Sequence, residues 1–244
     1  MTPPMLHIEN LAIHRGTYRI LLPRLSLARG EVAAITGASG CGKSTLLEMI
    51  GLILRPECLD RYELGDEADA ATPDAAPLDI AALLREDRQA RLADLRAQRL
   101  GFVPQSGGLL PFLDVRRNIE LPRRMLGLPA SGEQVEEAIE QLGLRPLLHK
   151  KPAQLSIGER QRASFVRAIA HEPDLLLADE PTAALDPLQA RRLFELIVET
   201  TQRLRIATLL VSHDWGLLRA CAIRRLVGVA EQGDGGGTVF RDAA

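Results

Sequence analysis

Gly37-Ala38-Ser39-Gly40-Cys41-Gly42-Lys43-Ser44, followed by Thr45, matches G-x-x-x-x-G-K-[ST] in full. The chemistry of that pattern is phosphate binding. Glycines let the chain fold so that successive backbone N–H groups point inward as an anion nest. A helix starting at the end of the loop adds the partial positive charge of its N-terminus. Lys43 is placed to reach the β- and γ-phosphates of a nucleotide, and the Ser44 hydroxyl to ligate Mg²⁺. Cys41 falls at a position that the pattern leaves free.

A second cluster lies at Leu175-Leu176-Leu177-Ala178-Asp179-Glu180, an apolar strand ending in two carboxylates. A buried parallel strand delivers its last side chains to the loop edge of the sheet, where ligands bind. Asp179 suits Mg²⁺, directly or through water, and Glu180 suits a general base acting on water. Alone this pattern is weak, because acids after strands are common. Leu155-Ser156-Ile157-Gly158-Glu159-Arg160-Gln161 opens a helix. Ser156 and Glu159 have capping-box spacing. The same serine hydroxyl, glycine backbone and helix N-terminus also make an anion site.

The elements that must hold these residues follow from periodicity. Residues 5–36 read as strands, with alternation at Leu6–Glu9 and Leu25–Ala28 and a turn at Arg29-Gly30. Glu31–Thr36 is a buried strand running into the phosphate loop, and Ser44–Leu54 a helix leaving it. From Pro56 to Pro77 acids mix with Ala, Pro and Thr, a surface excursion. One amphipathic helix is expected over Leu78–Arg99, then a strand at Leu100–Val103. Residues 106–170 read as mainly helical, including Glu133–Leu142. Pro187–Leu204 is a helix, Ile206–Val211 a core strand, and the tail from Leu226 a hairpin around Gly233–Gly237. Apolar strands alternating with helices imply an α/β domain with a largely parallel sheet.

Composition fits that class. Of 244 residues, 46% are hydrophobic and 25% charged, an ordinary balance for a globular domain with a substantial core. Net charge is −2, so no overall positive field is available for nucleic acid, and none is expected as a partner. Cys41, Cys58 and Cys221 lack metal-ligand spacing and read as reduced thiols. No apolar run approaches the roughly 18–20 residues that span a bilayer, and the first residues lack signal-peptide character. A peripheral protein on the cytoplasmic face of the cell (inner) membrane is expected, attached through a partner.

With these residues in view, the sequence resembles the ATP-binding-cassette (ABC) family along nearly its whole length. Gly37–Ser44 is similar to the Walker A loop, Gln105 in Phe102-Val103-Pro104-Gln105 to the Q-loop glutamine, and Leu155–Gln161 to the LSGGQ-type signature. Asp179 and Glu180 resemble the Walker B aspartate and catalytic glutamate, Ala184-Leu185-Asp186 the D-loop, and His213 in Val211-Ser212-His213-Asp214 the switch histidine. The resemblance implies a P-loop (RecA-like) α/β core with an antiparallel β portion, residues 1–105 and 167–244, carrying an acidic insertion near 57–80. It implies a helical subdomain, 106–166, inserted between them. Glu180 and His213 would be catalytic, Gly37–Thr45 and Gln105 would bind ATP, and Ser44, Gln105 and Asp179 would hold Mg²⁺. Two copies would pair head to tail, each ATP also touching Ser156, Ile157, Gly158 and Glu159 of the other copy, with Asp186 at the interface. An integral permease-type subunit would dock near Gln105 and Leu109–Asn118.

The sequence departs from the family pattern in places. Ile157 stands where the signature has its first glycine. The usual adenine-stacking aromatic is missing before the phosphate loop; by spacing Arg15 takes its place, with Tyr18 or His14 as alternatives. Gln105 lies 62 positions after Lys43, a long gap attributed to the acidic stretch. Gly101–Gln105, Leu109–Val115 and Asn118–Pro122 are similar to the lipoprotein-release and macrolide-export branch. Export or extraction powered by ATP is the expected function. The alternatives are a transmembrane signalling module using the same cycle, and a soluble cluster-assembly ATPase.

Overall fold

The computed structural model describes residues 4–65, 77–231 and 236–243. Its centre is a ten-stranded sheet in the order β5-β4-β1-β2-β10-β9-β3-β8-β7-β6. Here β1 is Leu6–Arg15, β2 Tyr18–Leu27, β3 Val32–Thr36, β4 Arg61–Leu64 and β5 Leu78–Asp79. The remaining strands are β6 (Leu100–Val103), β7 (Leu175–Asp179), β8 (Ala207–Val211), β9 (Arg224–Glu231) and β10 (Gly237–Asp242). β9, β3, β8, β7 and β6 run parallel. β1, β2, β4 and β5 form an antiparallel wing, joined through β10, which pairs parallel with β2 and antiparallel with β9.

β3, β7 and β8 are buried on both faces, and their period-2 alternation sorts their side chains into two cores. Ala33, Ile35, Leu175, Leu177, Leu209 and Val211 face one side, with the antiparallel wing and helices α1 (Lys43–Ile50), α2 (Ile80–Arg85) and α3 (Gln89–Arg99). Val32, Ala34, Leu176, Ala178 and Leu210 face the other, with α4 (Val115–Met125), α5 (Glu133–Gln141), α6 (Ile157–Ile169) and α7 (Pro187–Arg203). A short α8, Trp215–Ala220, follows β8. α6 crosses residue 166 without a break.

Three sequence expectations change. α1 stops at Ile50 rather than Leu54, because Leu52 takes a left-handed φ of 57° and the Ile53 and Leu54 N–H groups turn back to Glu48 O. The single helix over Leu78–Arg99 is a two-residue strand and two helices. Asp79 caps α2 by accepting from Ala82 N, and Asp87, at φ 54°, breaks the run while its carboxylate receives Arg55. The apolar stripe of Ile80, Leu84, Leu92 and Leu95 passes through the break, which is why periodicity alone hid it. Part of the expected surface excursion is core: Arg61–Leu64 pairs with β1, and buried Tyr62 donates its hydroxyl to Ile50 O at 2.5 Å. Residues 66–76 of that stretch lie outside the described residues. The expected tail hairpin is present as β9 and β10, although its turn at 232–235 also lies outside them.

Candidate active site

Because β3, β6, β7 and β8 are parallel, their carboxyl ends share one edge of the sheet. β3 leads into Gly37–Gly42, β7 into Glu180, β8 into Ser212 and His213, and β6 into Gln105. Topology thus collects residues separated by up to 176 positions into one region.

The phosphate loop turns on glycines in backbone conformations that other residues rarely adopt. Gly40 and Gly42 have φ of 74° and 95°, the left-handed region. A Cβ on Gly42 would lie 2.5 Å from Ile20 Cδ1 of β2. Gly42 opens α1 without any side-chain cap, so the first-turn N–H groups stay available to an anion. Lys43 is buried, and its ammonium donates to Gly37 O and Ala38 O at 3.2 and 2.8 Å, which holds the charge across the loop. Cys41 is buried against Gly37. Ser44 is exposed in the first turn. Asp179 ends β7, two strands over from β3, and β7 packs beside α1, with Gly51 at the helix's end lying against Leu177. A hydroxyl and a carboxylate, both free of hydrogen bonds to other described side chains, are the hard oxygen donors that Mg²⁺ takes.

Glu180 lies where two other candidate side chains meet. Its φ is 47°, unusual for a non-glycine residue, and its N–H continues the ladder to Val211 O. His213 Nε2 lies 3.0 Å from Oε1, and Gln105 Nε2 donates to Oε2 at 3.3 Å. A carboxylate held between an amide and an imidazole, beside a phosphate loop, can take a proton from a water attacking phosphorus. The three side chains come from three strand ends. Alongside runs a cleft of about 480 Å³ lined by Glu180, Ser212, His213, Leu185 and Trp215.

The signature residues sit apart from the phosphate loop. Ser156 Oγ accepts from Glu159 N at 3.2 Å, and Glu159 Oε2 from Ser156 N at 2.7 Å, a complete capping box on α6. That backbone N–H holds the Glu159 carboxyl below its ordinary value. Ile157 points outward, 46% exposed. A Cβ on Gly158 would meet Gln189 Oε1 at 2.9 Å, so α6 begins against the first turn of α7. Asp186 caps that turn, accepting from Leu188 N and Gln189 N at 3.1 Å. Among the described residues no hydrogen bond joins Ser156–Glu159 to Gly37–Thr45.

The adenine candidates separate by strand parity. Arg15 pairs with Tyr18, and Ile13 with Ile20, so all four share the face on which Ile20 meets Gly42. Arg15 is exposed, whereas Tyr18 is tied to Thr238 Oγ1 at 2.6 Å. His14 belongs to the other face and bonds Glu57 at 2.7 Å.

Sequence reading missed a set of contacts from α6. Gln161 Nε2 donates to Gln105 O at 3.3 Å, Ser164 Oγ to Gly107 O, and Arg167 Nη1 to Gly108 O. The helix whose first turn is the signature therefore grips the segment that carries Gln105. Polar residues at three-residue spacing on an otherwise buried helix were the available signal. Trp215, stacked under Arg225 at 4.9 Å beside His213, was also missed.

The chain is similar to known proteins along most of its length. Residues 23–183 match the family described as ABC transporter. The chain is 35% identical over 206 residues to the lipoprotein-releasing system ATP-binding protein LolD of Legionella pneumophila (strain Paris), covering 82% of this chain and 84% of that one. It is 38% identical over 229 residues to LolD of Xylella fastidiosa (strain 9a5c), covering 90% and 88%. Among solved structures, the ATP-binding cassette MJ0796, a dimer in a post-hydrolysis state bound to ADP and Pi, is similar with a TM-score of 0.70 and 27% identity, over 98% of both chains. CbiO1 from Clostridium perfringens, part of the ABC transporter complex cbiONQ, is similar with a TM-score of 0.75 and 26% identity, over 97% of this chain and 87% of that one.

Proposed function

The chain belongs to the ABC transporter family and is an ATP-hydrolysing nucleotide-binding subunit, and on that premise we propose that it powers a lipoprotein-releasing membrane complex. The observation that carries the catalytic assignment is the convergence of Gln105 and His213 on Glu180 at the strand edge that also holds the phosphate loop. Gly37–Thr45 bind the ATP phosphates. Ser44 and Asp179, with Gln105, hold Mg²⁺, whose charge would offset that building on the phosphoryl oxygens. Glu180 takes the proton of the attacking water and His213 contacts the γ-phosphate. Arg15 covers the adenine, with Tyr18 beside it.

Two copies close head to tail on ATP. Ser156, Ile157, Gly158 and Glu159 of one copy complete the site of the other, and Asp186 lies between the two sites. The dimeric form of the MJ0796 cassette supports this arrangement. Residues 1–105 and 167–244 act as the core and 106–166 as a helical lobe. No helix among the described residues is long and apolar enough to cross a membrane. In this reading, attachment to the cytoplasmic face of the inner membrane runs through an integral subunit seated near Gln105 and Leu109–Asn118. Exposed Phe112 and Met125, at 68% and 75%, support that seat. Asn118 is fully buried and bonds Leu110, Leu113 and Asp114, so it shapes the seat rather than touching the partner.

The test is Glu180→Gln. With ATP and Mg²⁺ it should lose about 10²–10⁴-fold in hydrolysis and run as a dimer in light scattering, reverting to monomer with ADP. Hydrolysis close to the wild-type rate would sink the catalytic assignment. Detergent extraction of the trapped dimer followed by mass spectrometry should recover an integral membrane subunit. Recovery of soluble partners alone would favour cluster assembly.

A further inference from the structure

His213 reaches Glu180 from a turn between β8 and α8 that does little to hold it. Its side chain is 46% exposed, and its backbone makes no hydrogen bond with a described residue. The bonds lie on either side. Ser212 N donates to Ile35 O at 3.3 Å, Asp214 N to Ser212 Oγ at 3.1 Å, and Leu217 N to Asp214 Oδ1 at 3.0 Å. They fix where the strand ends and where α8 begins. Leu217 and Leu218 pack α8 into the second core. Apolar packing is non-directional, so it does not by itself set how this short helix sits over the sheet.

Trp215, the first residue of α8, supplies a directed contact. Its ring centre lies 4.9 Å from Arg225 Cζ. Arg225 is fixed in β9: Ala34 of β3 is its register partner, and its carbonyl accepts from Ala243 N at 2.8 Å. Among the described residues its guanidinium has no carboxylate partner, and the indole is what it faces. A guanidinium is attracted by the negative face of an aromatic ring, most strongly by that of Trp. Trp215 also walls the cleft that holds His213 and Glu180. β9 flanks β3, whose end opens the phosphate loop, so the contact ties the His213 turn to the same part of the sheet.

We propose that Trp215 is a positioning residue for hydrolysis: stacked on Arg225, it pins the Ser212–Asp214 turn to β9 and so holds the His213 imidazole at Glu180. This rests on the assignment of Glu180 and His213 made above and adds the pair that orients them. Trp215 acts through His213 and touches neither the phosphate loop nor the hydrogen bond from Gln105 to Glu180. Loss of the stacking therefore lowers the fraction of molecules with the imidazole in place and leaves nucleotide binding alone.

The test is steady-state hydrolysis of ATP with Mg²⁺ by the full chain. Trp215→Ala should lower kcat about two- to fivefold, the range that a partly exposed cation–π contact supports, with the KM for ATP unchanged. Trp215→Phe keeps a ring face and should recover most of the rate. Arg225→Gln should match Trp215→Ala, and the double variant should be no slower than either single one. The Arg225 variant keeps the test intact if Trp215→Ala fails to fold. Trp215 is the chain's single tryptophan, so acrylamide quenching of its fluorescence reads the contact directly and should rise in Arg225→Gln. A wild-type kcat in Trp215→Ala, a loss confined to KM, additive losses in the double variant, or unchanged quenching would overturn the proposal. His213→Ala, measured in parallel, reports on the underlying assignment. It should lose more rate than Trp215→Ala, and adding Trp215→Ala to it should lower the rate no further. A wild-type rate in His213→Ala would remove the assignment itself, whereas a slow His213→Ala beside a fast Trp215→Ala would remove only the positioning role.

Discussion

At the scale of single residues, a side chain with a proposed functional role can also carry an observed structural one. Ser156 and Glu159 complete a capping box, so the hydroxyl proposed to face the other copy's ATP first secures its own helix. Ser156→Ala should cost about 1 kcal/mol, lowering Tm by about 2–4 °C in a domain of this size. Scanning calorimetry without nucleotide checks it. The same box predicts a pH dependence. Hydrogen bonding from the Ser156 N–H lowers the folded-state pKa of Glu159. Its stabilising contribution is therefore complete above the ordinary value of 4.5 and is lost as pH falls through the lower folded-state value. Glu159→Gln keeps an acceptor without the titration, so its Tm should fall less steeply than wild type across that acid range. Parallel acid limbs would contradict the assignment.

At the scale of elements, the phosphate loop depends on a strand far from it in pattern. Ile20 of β2 closes on Gly42, and the left-handed φ at Gly42 starts α1 without a cap. Gly42→Ala meets both obstacles and should cost about 1–3 kcal/mol through overpacking, while abolishing nucleotide binding. Adding Ile20→Ala removes the clash but leaves the φ penalty. Ile20 is itself core, so the double variant should stay below wild type in Tm, and it should regain none of the nucleotide affinity measured by titration calorimetry. Recovery of affinity would mean that sterics alone, and not backbone conformation, set the requirement for glycine.

At the scale of the whole molecule, the sheet has two edges with separate duties. The carboxyl edge carries the proposed chemistry. The opposite edge is held by Asp174, whose buried carboxylate takes Arg29 at 3.0 Å and also Arg99, from the β2–β3 turn and the end of α3. Its backbone adds bonds to Arg99 O and from Ala207 N. Asp174→Asn removes the buried negative charge that faces Arg29 and Arg99 and should cost about 3 kcal/mol, read as a drop in urea midpoint. Its hydrolysis rate per folded molecule at 25 °C should match wild type, because the clamp lies at the edge away from Glu180. A large loss of rate with no loss of stability would show that the two edges are coupled.

The sequence by itself determined the phosphate loop, the acidic strand end, the order of the motifs and the alternating α/β architecture. Each of these is local: a glycine pattern, an apolar run or a period is written in consecutive residues. It did not determine the break at Asp87, because a left-handed residue interrupts a helix without disturbing its apolar stripe. Nor did it reveal that Tyr62 is core, since burial there comes from pairing with β1, more than fifty residues away. Only the tertiary structure decided that Gln105 and His213 meet on Glu180, that Arg15 shares a face with Ile20, and that α6 holds the Gln105 segment. Those facts follow from strand order and parity, which set distances between residues that no local pattern relates.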